Sequence, residues 1–417
     1  MGTNDSREQN HPASTAAWLK PSMMHENVSM LAALAAAGED QIIFDLAGIE
    51  ARYEALVRDL PGVSVRFAMK ACPVDEVISR LAEKGAGVDA AGPNEITQAI
   101  SSGVPLERIH YGNTIKSDRD IIDAYRLGIR DFATDSLEDV AAIAACAPGA
   151  RVFCRLATDG QGALWGLTSK FGCSAADAVL VLEKAREAGL KPAGLSVHVG
   201  SQQMTSEGWQ SAFERLVDVL AVLHRGGISL DYVNLGGGLP ALGYLDKRGE
   251  PLDPPMDKIF AIIREGMQQC REVPGHHLDF IVEPGRHLVA DHGAIRAHVS
   301  RLSRRQNLNG ERQYWLYLSC GKFNGLYEMD ELQYRLVFPS HRDGEHVLAR
   351  VAGPTCDSDD AYSREHGLVQ VPEALASGDP VWVLSSGAYA MSYMTQGFNG
   401  FSPLPYTCIG GMEGTRR

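Results

Sequence analysis

The feature that most constrains this chain is a rhythm: between about residues 46 and 288, short apolar, β-rich runs alternate with longer stretches of helical period. The runs lie at residues 65–70, 86–89, 109–111, 132–134, 152–156, 194–199, 232–235 and 280–282. Amphipathic stretches such as 75–83, 175–188, 209–224 and 257–270 separate them, several closed by glycine. Eight strands with helical crossovers predict an α/β fold, a closed (β/α)8 barrel of the TIM type, in which chemistry collects at the C-terminal strand ends. Unusual residues do fall at or just past those ends: Lys70, Asp89, Asn113, Asp135, Arg155, His198, the Gly236-Gly237-Gly238 triplet and Glu283. Any one of them is an ordinary strand-end group. Eight in phase point to a site on one rim.

After about residue 289 the texture changes. Runs at 298–302, 314–318, 346–351 and 380–384 read as an antiparallel β domain, completed by an early run at 41–44. The expected organisation is an arm at 1–27, a segment at 28–46 that completes the β domain, a barrel at 47–289 and a C-terminal β domain at 290–417. A length of 417 residues suits two such units. The arm is polar and lacks the apolar core of a secretion signal. No apolar run approaches bilayer length, and a net charge of -13 repels phosphate backbones and anionic lipid while drawing cationic small molecules toward an acidic cleft. Neither nucleic acid nor a membrane is expected as a partner. The eight cysteines include no CxxC pair, so neither a metal site nor a disulfide framework is indicated, and a reducing cytoplasm fits.

Each rim segment has two readings on its own. Lys70, after the apolar Phe67-Ala68-Met69, either packs its stem and reaches solvent or serves as an amine for a Schiff base. His198, in His-Val-Gly-Ser-Gln, is a hydrogen-bonded strand end or a flat ring on which a cofactor stacks. The three glycines form a flexible turn or let backbone N–H groups approach a phosphate. Glu283 and Arg286, in Glu-Pro-Gly-Arg, form an ion pair or bind a ring nitrogen and a phosphate.

Taken in order, these segments resemble the fold type III pyridoxal-phosphate decarboxylases that act on ornithine, lysine, diaminopimelate and arginine. The resemblance runs from about residue 41 to 410 and extends to Gly353-Pro354-Thr355-Cys356-Asp357, Gly387-Ala388-Tyr389 and Phe398-Asn399-Gly400-Phe401. It implies an alanine racemase-like barrel with a β domain and pyridoxal 5'-phosphate held by Lys70. Asp89 and Glu95 match positions near the cofactor, and Arg155 a rim arginine that supports the glutamate. His198 would stack on the ring, while Ser201, Gly236, Gly237, Gly238, Gly285, Arg286 and Tyr389 would bind around the phosphate. Glu283 at the pyridine nitrogen would deepen the electron sink, where alanine racemases place an arginine. The resemblance further implies a homodimer with shared sites, in which Cys356 returns a proton to Cα, Asp357 holds the distal ammonium, and Lys170 and Asp360 pair across subunits.

The substrate expectation follows from two positions. Diaminopimelate enzymes usually carry glutamate after the cysteine and an arginine near the chain end; here stand Asp357 and, at the end, Phe398 with its neighbours. The chain looks most like bacterial ornithine/lysine decarboxylases, releasing putrescine or cadaverine. One methylene separates those substrates, worth about 1–3 kcal/mol, and no single residue decides so small a difference. Whether Glu328, Asp330 or Glu331 reads the amine stays open, as do larger conjugated amino acids of siderophore or antibiotic pathways. A catalytically silent regulator and a racemase are the competing classes; intact Lys70, Glu283, Arg286, Cys356 and Tyr389 oppose the first and Glu283 the second.

Overall fold

Eight parallel strands close into a barrel in chain order: Val63–Ala68, Gly87–Ala90, Ile109–Tyr111, Asp131–Thr134, Arg151–Arg155, Lys191–Ser196, Tyr232–Asn234 and Asp279–Val282. This is seen in a computed structural model that describes residues 27–411 apart from 167, 168, 307 and 342. The last strand joins the first, Phe280 opposite Val63, so no barrel edge is left open. Every apolar run named above supplies one of these strands, and the crossovers expected at 75–83, 175–188, 209–224 and 257–270 are the helices Asp75–Glu83, Ala175–Glu187, Glu207–Arg225 and Met256–Glu272. Helix starts are set locally. Ser117 and Asp120 form a reciprocal capping box on Asp118–Arg126, and Ser136 and Ser174 cap the two helices that follow them.

Side chains alternate between the barrel interior and the helices, so one strand residue in two points inward. Low in the barrel the Tyr232 hydroxyl donates to Asp131 Oδ1 at 2.8 Å, and Arg66 lies 3.8 Å from the same carboxylate. Phe153, Ile281 and Ala133 pack around Tyr232. The interior is therefore filled from below, which leaves the upper mouth for the site.

The second unit is an eight-stranded sheet around the long strand Gly293–Gln306. One half of that strand pairs antiparallel with Gln41–Asp45 and with Pro380–Leu384. The other half, past an irregularity between Val299 and Arg301, pairs with Arg312–Leu318. Such a bulge bends a strand, and here it curls the sheet. The sheet is mainly antiparallel, with two parallel pairings: Arg312–Leu318 beside His346–Ala352, and Gln41–Asp45 beside Tyr406–Ile409. Three strands that sequence reading passed over, Arg335–Val337, Val369–Pro372 and Tyr406–Ile409, span only three or four residues, too few for alternation to register. The arm expected at 1–27 lies, except for Asn27, outside the described residues. Among the described residues no helix is long and apolar enough to cross a membrane.

Candidate active site

The first barrel strand runs into a 3-10 turn, Met69–Ala71, that carries Lys70 at the mouth, with 49% of its side chain open to the cleft. The β domain grips this turn: the Tyr389 N–H donates to Ala71 O at 2.7 Å. Tyr389 holds φ at +62°, a left-handed conformation that costs a non-glycine residue about 1–3 kcal/mol and persists only where its surroundings enforce it. Lys70 Nζ lies 3.6 Å from Asp89 Oδ2. Enclosure works against the ammonium, yet the Asp89 carboxylate, with Tyr389 and Glu283 behind it, holds its pKa above the usual lysine range. Burial likewise opposes charge on Asp89, but Lys70 and the His110 hydrogen bond outweigh it and keep this carboxyl well below the usual range.

Across the mouth, Glu283 follows the eighth strand. Its Oε1 accepts from Asn234 Nδ2 at 2.5 Å and lies 2.9 Å from His110 Nε2. The same His110 nitrogen is 3.1 Å from Asp89 Oδ1, so one imidazole bridges the two carboxylates. Burial and nearby Arg66 push its pKa down, but hydrogen bonds to Asp89 and Glu283 prevail and raise it. Sequence reading missed His110. The signal was a histidine in the inward position of the third apolar run, which had been read only as apolar.

His198 follows the sixth strand, and its Nδ1 accepts the Gly200 N–H at 3.1 Å. Enclosure, with Arg155 and Lys70 adding positive charge, pushes the ring's pKa down to about 3. The ring is therefore neutral near pH 7. In the unfolded chain its pKa is about 6.5, so between about 3 and 6.5 the unfolded state binds the extra proton and stability rises with pH. The melting temperature should fall between pH 6.5 and 5, and His198→Phe should flatten that slope. Equal slopes in the two proteins would show that the ring is not held neutral.

Two glycines of the loop next to it leave no room for a side chain. Gly236 sits at φ +65° and a Cβ there would lie 2.1 Å from Val197 O; Gly238, at φ +116°, would meet Gly200 O at 2.7 Å. Beyond the loop Arg286 is 5% exposed, and its pKa is raised because Glu328 and Tyr244 overcome the cost of burial. Glu328 takes both terminal nitrogens, one at 2.6 Å, while Ser201 Oγ accepts at 3.1 Å and 3.3 Å. The rings of Trp165 and Tyr389 flank the guanidinium at 4.3 Å and 4.7 Å. Glu328 is thus engaged by Arg286, while Asp330 pairs with Lys322 and Glu331 with Lys247.

One cleft collects Lys70, His198, Ser201, Gly237, Gly238, Glu283, Gly285, Arg286 and Tyr389. Asp89 and Gly236 stand directly behind it: the first touches Lys70, and the carbonyl of the second accepts the Glu283 N–H at 2.7 Å. Arg155 makes no ion pair among the described residues; its guanidinium lies over the Phe171 ring at 4.9 Å, and the direct hydrogen-bonding partners of the Glu283 carboxylate are Asn234 and His110. Burial lowers the basicity of Arg155, with Glu283 and Asp89 opposing through space. Glu95 accepts the Ala91 N–H at 2.6 Å and acts as a local brace.

Cys356, Asp357 and Phe398 do not line their own chain's cleft. They lie on the β domain, where Asn399 Oδ1 accepts the Cys356 N–H at 2.7 Å and Phe398 packs on Phe323 at 4.9 Å. Cys356 and Asp357 are exposed and Phe398 is 38% exposed. Asp360 is 2% exposed, and its carboxylate accepts from the Lys322 N–H and from the Thr355 N–H and hydroxyl. Within its own chain it is a turn-fixing group.

Residues 46–290 match the family model described as pyridoxal-dependent decarboxylase, pyridoxal binding domain. The chain belongs to the pyridoxal-dependent decarboxylases. It is an enzyme of the carboxy-lyase class, and its cofactor is pyridoxal 5'-phosphate. This decarboxylase is 29% identical to a lysine/ornithine decarboxylase of Selenomonas ruminantium, covering 87% of this chain and 88% of that protein. A diaminopimelate decarboxylase of Zymomonas mobilis is 27% identical, covering 80% and 77%. Among solved structures, a lysine/ornithine decarboxylase of Vibrio vulnificus complexed with putrescine superposes with a TM-score of 0.78 at 28% identity, covering 93% of this chain and 98% of that one. The cleft of the decarboxylase fits its cofactor. An aldehyde, a basic ring nitrogen and a phosphate need, respectively, a primary amine, a carboxylate and a corner rich in hydrogen-bond donors with close backbone access, and Lys70, Glu283 and the corner of Ser201, Arg286 and the glycine loop offer these around one space.

Proposed function

We propose that this decarboxylase acts on a basic L-amino acid, ornithine and/or lysine, and releases CO2 with putrescine or cadaverine. The observation that carries the reading is Glu283, pinned through Oε1 by Asn234 and His110 on the mouth opposite Lys70. Bound pyridoxal phosphate supplies the sink for the electrons left when CO2 departs. Around it the chain's own groups bind and orient. Lys70 is the amine that attaches the cofactor, and Glu283 holds a proton at the ring nitrogen. The neutral His198 ring covers one face without adding charge. Arg286, Ser201, the Gly236, Gly237 and Gly238 backbone, Gly285 and Tyr389 enclose the phosphate.

The substrate's distal group is read by acid from a second chain. Cys356 and Asp357 are exposed on the β domain and absent from their own cleft, which supports a homodimer whose sites are shared. The partner's Asp357 holds the distal ammonium and the partner's Cys356 returns a proton to Cα, with Phe398 forming the apolar wall between. An aspartate in this place favours a substrate ending in an amine over one ending in a carboxylate, and the lysine/ornithine relatives support the same choice. All eight cysteines are free thiols, which supports a cytoplasmic setting.

The test is a panel of L-ornithine, L-lysine, L-arginine, diaminopimelate and their D-forms, scored by CO2 and amine product. L-Ornithine or L-lysine should give the highest kcat/KM. Asp357→Ala should lower that value by about 10- to 100-fold, the worth of one hydrogen-bonded charge. Release from diaminopimelate alone would reject the substrate assignment, and no release from any of them by cofactor-loaded protein would reject the activity.

A further inference from the structure

His110 is buried with 0% exposure on the third strand, at the register position paired with Asp89 on the second. We infer that it is a positioning residue: its Nε2–H fixes the Glu283 carboxylate by one oxygen and turns the other toward the pyridine nitrogen of the cofactor. This rests on the reading of Glu283 proposed above.

Three observations carry it. Nε2 lies 2.9 Å from Glu283 Oε1 and 3.1 Å from Asp89 Oδ1. Ionised carboxylates only accept, so the nitrogen facing both carries the hydrogen, whether the ring is neutral or charged. Glu283 Oε1 takes two donors, His110 Nε2 and Asn234 Nδ2 at 2.5 Å, while among the described residues Oε2 accepts none. The clamp is itself rigid. Asn234 accepts the Gly236 N–H at 2.9 Å through its own carbonyl, and the His110 ring packs on Phe153 at 5.1 Å between centroids. A carboxylate so held pays little ordering entropy when a cationic ring nitrogen arrives. Asp89, hydrogen-bonded to the same Nε2, ties this clamp to Lys70, whose amine is 3.6 Å away.

A histidine that merely fills the barrel would stabilise the fold without being coupled to Glu283. The two roles separate in a double-mutant cycle that reads the dissociation constant for pyridoxal phosphate, obtained by diluting the holoenzyme, beside kcat and KM. His110→Leu should weaken cofactor binding about tenfold, as expected for one charge-assisted hydrogen bond, and lower kcat with KM little changed. His110→Gln keeps a donor near the Nε2 position and should stay within about threefold of wild type, whereas His110→Asn, whose amide is too short to reach, should resemble the leucine variant. In a Glu283→Gln background His110→Leu should add less than about twofold. Equal losses in the glutamine and asparagine variants, or a full additional loss in that background, would overturn the inference. Should His110→Leu not fold, the glutamine and asparagine pair carries the same test. If Glu283→Gln impairs binding and turnover while His110→Leu leaves both intact, only His110 is misassigned. If Glu283→Gln binds and turns over as wild type does, the assignment of Glu283 fails and takes this inference with it.

Discussion

Lys70→Ala will reduce CO2 release by a factor on the order of 10³ or more, while the protein still binds pyridoxal phosphate non-covalently. The reasoning starts from position. Lys70 reaches the cleft from the end of the first strand, on a turn held by Tyr389, and its amine is kept beside Asp89. Removing the amine removes the group that would form the covalent link to the cofactor. It leaves Arg286 and Ser201, which hydrogen-bond to each other, and the glycine loop that lines the same cleft. Borohydride reduction followed by mass spectrometry checks the point directly. The wild-type chain should gain the pyridoxyl mass on the peptide containing Lys70, and the variant should gain none. Label on another lysine, or a variant active within tenfold of wild type, would reject the assignment.

Mixing two inactive variants should restore activity. Lys70→Ala and Cys356→Ala should each be nearly inactive alone, the second by a factor of about 10²–10⁴ if its thiol is the general acid. In a two-fold dimer with shared sites, equal mixing makes half the dimers hybrids, each with one intact site, so activity should recover to about a quarter of wild type. The structure motivates this because the exposed Cys356 lies on the β domain and lines no part of its own chain's cleft. Subunit exchange verified by mass-tagged chains, with no recovery, would show that each site is built within one chain. The experiment also separates shared sites from simple dimerisation, since a dimer with independent sites would recover nothing.

Local chemistry explains why so much of the rim was legible. Strand-end residues such as Lys70, His198 and Glu283 project toward one mouth because a parallel barrel points all its C-terminal strand ends the same way, and that follows from the hydrophobic rhythm alone. The glycine triplet likewise announced a close backbone approach, and Gly236 and Gly238 hold the positive φ values that glycine readily adopts. The long β domain was harder to read. Its outer strands are short, and two of its pairings are parallel, joining segments that are not neighbours in the chain.

The amino-acid order by itself determined the barrel and the phase of its reactive residues, because those depend on periodicity and on residues placed at strand ends, while the class of cofactor followed from the resemblance of the ordered motifs to the pyridoxal-phosphate decarboxylases. Only the tertiary structure decided who supports whom. It put His110, not Arg155, on Glu283, turned Glu328 onto Arg286, and folded Asp360 into its own turn. Those partnerships join residues as much as 173 positions apart, as Glu283 is from His110. Such pairings arise from how strands curl around a common axis, a three-dimensional closure that no local pattern in the chain encodes.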